Sequence, residues 1–386
     1  MRVLYFTRGY TTHDRRFLER LAESVHEVFF LRLEQQGVVF EQRSLPSRVH
    51  PVPWAPGVDH ATSPDVCLRA VPEFQRVVEE IKPDVVQAGP VQTCGYVVAR
   101  ASVHPLMITS WGYDILLDAD HDDHWRKVTL FALENSDMLL CDCYAVRDKV
   151  QALVSYADER IVQFPWGVEL DRYSPGPDAA GIRRKLGWNK AFVVLSTRNW
   201  ESLYGIKTLL AAFAQAHTCE PRLRLILLGT GTLQTWIEAF IAEHDLDRDV
   251  FRPGLVAESE VPHYLRAADI YFSCSRSDGS SVSLLQALAT GLPTLVSDIP
   301  GNRECVKRGA NGWLAPSDSH ADFAEALLRA ACLSRAEQRR MHNANRALAE
   351  RKADWSANFP QLLDGYERLV RMTQYETRGP TTGVDP

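Results

Sequence analysis

Residues 276–304 read RSDGSSVSLLQALATGLPTLVSDIPGNRE and place an acid, a glycine and two serines directly before an apolar run at helical spacing. Ser280 or Ser281 can cap a helix that starts near Val282, whose free N–H groups and dipole then face Asp278 and Gly279. Gly279 lets a ligand approach the backbone, Asp278 accepts from hydroxyl groups, and Gln286, about one turn further in, can bond a diol as donor or acceptor. That chemistry suits a phosphate or sugar hydroxyls. Alone, the stretch better describes an ordinary capped helix with a surface Asp. A second cluster, His13, Asp14, Arg15 and Arg16, follows the first apolar run. It fits an acceptor or phosphate contact, or a helix N-cap at Thr12 or Asp14 followed by surface arginines. The segment 118–127, DADHDDHWRK, holds two His among four Asp. It reads as a solvated, acidic helix start rather than a metal site.

These residues sit in a 386-residue chain, long enough for two domains. Its 45% hydrophobic and 24% charged content is that of a soluble globular protein, and a net charge of -6 gives no case for nucleic acid as partner. No run reaches membrane-spanning length, and the N-terminus lacks the apolar core of a signal peptide. The eight Cys include no CxxC pair. Cys141 and Cys143, two apart on an expected strand, read as buried small hydrophobes, which fits a reducing cytosol.

Apolar runs alternate with helical patterns twice. Strands are expected at 2–6, 26–33, 84–88, 105–111, 137–142 and 160–165. Helices are expected at 12–25, 71–83, 94–102, 124–136 and 144–154, and 37–66 is loop-heavy. A Pro- and Gly-spaced stretch at 166–181 is the expected linker. The second set has strands at 192–197, 224–229, 249–254, 269–274 and 293–298, with helices at 205–217, 232–244, 260–267 and 282–290. This pattern predicts two parallel-sheet α/β domains, residues 1–168 and 178–354, with ligands at the carboxyl ends of the strands and a cleft between domains. One long helix at 355–374 is expected to rejoin the first domain, and the tail after 376 to be disordered.

The stretch at 276–304 resembles the signature of the family 4 glycosyltransferases of the GT-B fold, Glu-Gly-Phe-Gly-x-x-x-x-Glu followed by Ala-x-Ala-x-Gly-x-Pro-Val-x-x-Ser-Asp-x-Gly-Gly-x-x-Glu. Further landmarks appear in order: TSWGYD, FPWGVELDRYSP, STRNWESLYGIKTLLAAF, LLGTGTL, FRPGLV, LRAADIYFSCS and GANGWLAP. The resemblance implies two Rossmann-like doubly wound domains, the second binding a UDP-, GDP- or ADP-sugar and the first a sugar-containing or lipid-linked acceptor. It implies that Arg198 faces the diphosphate, Asp278 takes donor-sugar hydroxyls and Gln286 the ribose. Gly279, Ser280, Ser281 and Val282 would present N–H groups, Gly254 and Val256 would edge the base, and Glu304 would close the motif. Gly229 and Gly231 form the Gly-rich turn, and Gly9 would approach from the first domain. His13, Asp14, Arg16, Trp111 and Asp114 fall on the acceptor side. Three departures stand out. Asp278 and Gln286 replace two Glu, Tyr204 stands where the family has a second phosphate-binding Lys with Lys207 one helical turn on, and Trp111 replaces a His.

The implied activity is retaining transfer of a hexose-type sugar to an acceptor hydroxyl in glycan, polysaccharide or glycolipid synthesis, with no essential metal. The implied place is the cytoplasm, with at most peripheral contact with a membrane's inner face. An inactive sugar-nucleotide-binding partner protein, and a GT-B epimerase or hydrolase, are the rival readings.

Overall fold

A computed structural model describes residues 1–36 and 41–378. The chain forms two units, residues 1–164 with the segment from Phe359 onward, and Pro165–Asn358. The first unit holds strands β1 Arg2–Thr7, β2 Glu27–Arg32, β3 Val49–Pro51, β4 Val85–Gly89, β5 Leu106–Thr109, β6 Met138–Cys141 and β7 Ile161–Gln163. All pair in parallel, in the order β3-β2-β1-β4-β5-β6-β7. The second holds β8 Phe192–Ser196, β9 Leu223–Leu228, β10 Val250–Gly254, β11 Ile270–Ser273, β12 Thr294–Ser297 and β13 Gly312–Ala315. It is also parallel, in the order β10-β9-β8-β11-β12-β13. These are Rossmann-like sheets, and their strands explain why. Runs such as LMIT, MLLC, FVVLS and IYFS are buried at every position, as strands covered by helices on both faces must be.

In each sheet the chain leaves a central strand in one direction and later returns beside it to continue in the other. That reversal falls between β1 and β4 in the first unit and between β8 and β11 in the second. Loops leaving the carboxyl ends of such a pair splay apart, which opens a crevice for ligands.

Several expectations change. The stretch at 166–181 is no loose linker: Trp166, Val168 and Tyr173 are buried, Val168 exchanges backbone hydrogen bonds with Ala353 and Trp355, and Arg346 donates to the carbonyls of Leu170 and Tyr173. Gly167 is required there, because a side chain would strike the Trp355 backbone. The helix expected at 355–374 is two, Trp355–Asn358 in the second unit and Pro360–Arg378 in the first. Pro360 opens the second helix, where its missing N–H costs nothing, and it cannot continue the first. That second helix also runs through 377 and 378, into the expected disordered tail. The rest of the tail, from 379, and residues 37–40 of the loop-heavy stretch lie outside the described residues. Strand β13 and the helices His320–Ala331 and Arg335–Lys352 add to the elements read from the sequence. Cys141 ends β6 and Cys143 stands at the N-cap of the next helix, so they do not share a strand face, yet both are buried and in no disulfide.

Candidate active site

Arg198 lies two residues past the end of β8, and the loop 274–281 leaves its neighbour β11. The two meet at the reversal point of the second sheet. The Arg198 guanidinium is buried. Its Nη1 donates to Ser281 Oγ at 2.9 Å, its Nη2 pairs with Asp278 Oδ2 at 2.9 Å, and its carbon lies 4.0 Å from the centre of the Tyr204 ring. Burial pulls the guanidinium pKa down. The Asp278 carboxylate, with Tyr204 and Tyr271, outweighs this and raises it, so Arg198 stays charged in an interior position. Ser281, not Ser280, is the N-cap of the helix Val282–Ala289, and its Oγ also accepts from the Leu284 N–H at 3.5 Å. Ser277 and Ser280 are buried beside it.

Glycines seat these loops against one another. Gly205 has φ +64°, and a side chain there would overlap the Cys274 carbonyl; next to it the Arg276 N–H donates to the Leu203 carbonyl at 2.9 Å. Gly301 lets the turn Pro300–Arg303 press on the carbonyls of Asp278 and Gly279. Neither Gly205 nor Gly301 stands out in the sequence, since what each avoids lies far along the chain. Gly229 and Gly231 back the Arg198 loop: side chains there would strike the Arg198 and Trp200 carbonyls. The Trp200 N–H donates to the Thr230 carbonyl at 2.9 Å, and Thr232 bonds Glu201 through both its N–H and its hydroxyl.

The remaining expected residues of the second unit are placed by their own elements. Gln286 is half-buried on the capped helix, four positions after Val282, and Glu304 is half-buried at the C-cap of the Pro300–Arg303 turn. Gly254, at φ +79°, accepts the Gly229 N–H through its carbonyl, and Val256 packs on the core. Lys207 turns to a neighbouring helix, its Nζ 5.1 Å from the Trp236 ring centre.

In the first unit, Gly9 follows β1 with open space where a side chain would stand. His13, in the helix Thr12–Glu23, and Trp111, from the loop after β5, meet with ring centres 6.1 Å apart, and Phe17 meets the indole edge-on at 6.0 Å. The helix Thr12–Glu23 is capped by Thr11 rather than Thr12 or Asp14. Asp14 is its third residue, fully buried, and completes a capping box while accepting from the Tyr5 hydroxyl at 3.0 Å. Arg16 is buried, not a surface arginine. Asp114 is fully buried as well, accepting from Ser110 Oγ at 2.6 Å and from the N–H groups of Val91, Trp111 and Ile115. Burial raises its pKa to about 6 against the lowering effect of those bonds. At 118–127, Asp122 caps the helix Asp123–Glu134, His121 pairs with Asp122 and His124 with Asp65. No group of three or more potential metal ligands gathers among the described residues. No helix among them is long and apolar enough to cross a membrane.

Two family models match the chain, one over each half: Glycosyl transferase 4-like domain over residues 8–167 and Glycosyl transferases group 1 over 178–348. The chain belongs to the GT-B glycosyltransferases. It is 30% identical to the phosphatidyl-myo-inositol mannosyltransferase of Mycobacterium leprae over 251 residues, 64% of this chain and 61% of that protein. It is 32% identical to the amylovoran biosynthesis glycosyltransferase AmsK of Erwinia amylovora over 150 residues, 37% of each chain. The matches thus span about two fifths to three fifths of these relatives. In fold it is similar to sucrose-phosphate synthase from Thermosynechococcus elongatus, with a TM-score of 0.81, 17% identity, and 96% of this chain and 100% of that one covered. It is likewise similar to Anabaena HepE in complex with UDP and glucose, with a TM-score of 0.76, 20% identity and coverage of 95% and 99%.

Proposed function

We propose that the protein is a retaining, family 4 glycosyltransferase that moves a hexose-type sugar from a nucleoside diphosphate to an acceptor hydroxyl in glycan, polysaccharide or glycolipid synthesis. One observation carries this reading: Arg198, Asp278 and the Ser281-capped helix end converge at the reversal point of the second sheet. Breaking a glycosyl–phosphate bond builds positive charge on the sugar and negative charge on the leaving diphosphate. A buried guanidinium and a helix N-terminus, both fixed in advance, stabilise the latter. Asp278 accepts from donor-sugar hydroxyls, and Gln286 bonds the ribose. In this reading the acceptor attacks from the face the diphosphate leaves, and a phosphate oxygen takes its proton. His13 and Trp111 of the first unit serve the acceptor. The relatives support a sugar- or lipid-linked acceptor: one is named for phosphatidyl-myo-inositol and another for amylovoran biosynthesis. HepE with UDP and glucose supports a nucleoside-diphosphate donor.

The work falls in the cytoplasm or at the inner face of a membrane. Because charge stabilisation is assigned to Arg198 and the helix end, transfer should survive EDTA. Incubation with UDP-, GDP- and ADP-hexoses, followed by NMR, tests the whole reading. Transfer with retained anomeric configuration is expected; inversion, epimerisation, or binding without turnover under every acceptor would refute it.

A further inference from the structure

Tyr204 occupies the loop between Arg198 and the helix Ile206–Cys219, and its ring centre stands 4.0 Å from the Arg198 guanidinium carbon. That distance is a cation–π contact, with the guanidinium carbon over the ring face. A guanidinium carries all its N–H donors in its plane, so an aromatic ring over its face leaves the edge free for anions. The edge is where Ser281 and Asp278 already sit, each at 2.9 Å. The ring is itself fixed. Half-buried, it packs against the core of the second unit, and the adjoining backbone is held by Gly205 against Cys274 and by the Leu203–Arg276 hydrogen bond. Lys207, the nearest other cation of that loop and helix, is turned to Trp236. Among the described residues Arg198 is therefore the cation that reaches Asp278 and Ser281, and its orientation governs how an anion is gripped.

We infer that Tyr204 is a positioning residue: its ring face, rather than its hydroxyl, holds Arg198 edge-on to the diphosphate of the donor. The inference rests on the proposed donor site, and two readouts keep their failures apart.

The first is binding of UDP, GDP and ADP by calorimetry to wild type, Tyr204→Phe, Tyr204→Leu, Arg198→Ala and Arg198→Ala/Tyr204→Leu. Tyr204→Leu is expected to weaken the best-bound nucleotide about tenfold, the scale of a desolvated cation–π contact, while Tyr204→Phe stays within about threefold. In the Arg198→Ala background the Leu substitution should add little. Equal losses for Phe and Leu would assign the effect to the hydroxyl, and additive losses would place Tyr204 outside the Arg198 unit; either overturns the inference.

The second readout needs no ligand. A urea-unfolding cycle over the same two positions should show coupling of about tenfold in the unfolding constant, and no coupling would overturn the cation–π role. If no nucleoside diphosphate binds wild type while that coupling is present, the donor site is wrong and the contact stands. A Tyr204→Trp variant, keeping a ring face, guards against a Leu variant that merely unfolds and should bind like Phe.

Discussion

The two sheets reverse direction at equivalent places yet spend their buried charge in opposite ways. At the second reversal, Arg198 and Asp278 pair beside the Ser281-capped helix end, so the buried charge is held by other side chains. At the first, the buried acids are consumed by the chain: Asp14 by its capping box, Asp114 by three backbone N–H groups and a serine. Next to these acids in the chain stand the rings of an aromatic cluster, His13, Trp111 and the buried Phe17. On the function proposed above, anion chemistry falls to the second unit and acceptor recognition to the first. An ion pair that touches few backbone groups can exchange partners, whereas a carboxylate that holds a loop cannot leave it.

The largest test of this contrast is Arg198→Ala, which should lower sugar transfer at least about 100-fold in kcat while the fold persists. A loss of less than tenfold would erase the distinction.

Next comes Asp114→Ala, which should act on stability instead. Orphaning several buried donors should cost about 3 kcal/mol in urea unfolding of the first unit. The pH dependence gives the sign. The Asp114 carboxyl has a folded pKa of about 6, above its ordinary 3.8, so the folded state binds the extra proton. Its contribution is present below the unfolded pKa and declines as pH rises through about 6. Asp114→Asn should flatten the stability profile between about pH 4 and 6; an unchanged profile would show that Asp114 is not the titrating group.

Gly301→Ala should also be costly, since its new methyl would press on the Asp278 and Gly279 carbonyls. Displacing that loop should reduce transfer at least about tenfold, by the sensitivity of catalysis to small misplacements.

The smallest expected effect is Trp111→Ala. It should raise the acceptor KM by up to about tenfold, the scale of one aromatic contact, and leave donor hydrolysis unchanged. An equal effect on both would move Trp111 to the donor side.

Much of this was legible in the sequence because the signal was local. The apolar runs gave most strands of both sheets, and the capped helix after Asp278 could be read from consecutive residues. Non-local contacts were not legible. Nothing in STRNWESLYG announces that the Arg198 guanidinium reaches a serine 83 positions away, or that Gly205 lies on the Cys274 carbonyl. The 166–181 stretch misled because Pro and Gly punctuate it, while the burial of Trp166, Val168 and Tyr173 depends on a helix near the far end of the chain. Strand β13 is four residues set between Asn311 and Pro316, too short for a periodic signal.

A crystal structure with a bound nucleoside diphosphate, chosen from UDP, GDP and ADP by affinity, tests the central claim most directly. A phosphate oxygen is expected within about 3 Å of an Arg198 guanidinium nitrogen, facing the N–H groups at Ser281 and Val282. A nucleotide held elsewhere, with the Arg198–Asp278 pair untouched, would contradict it.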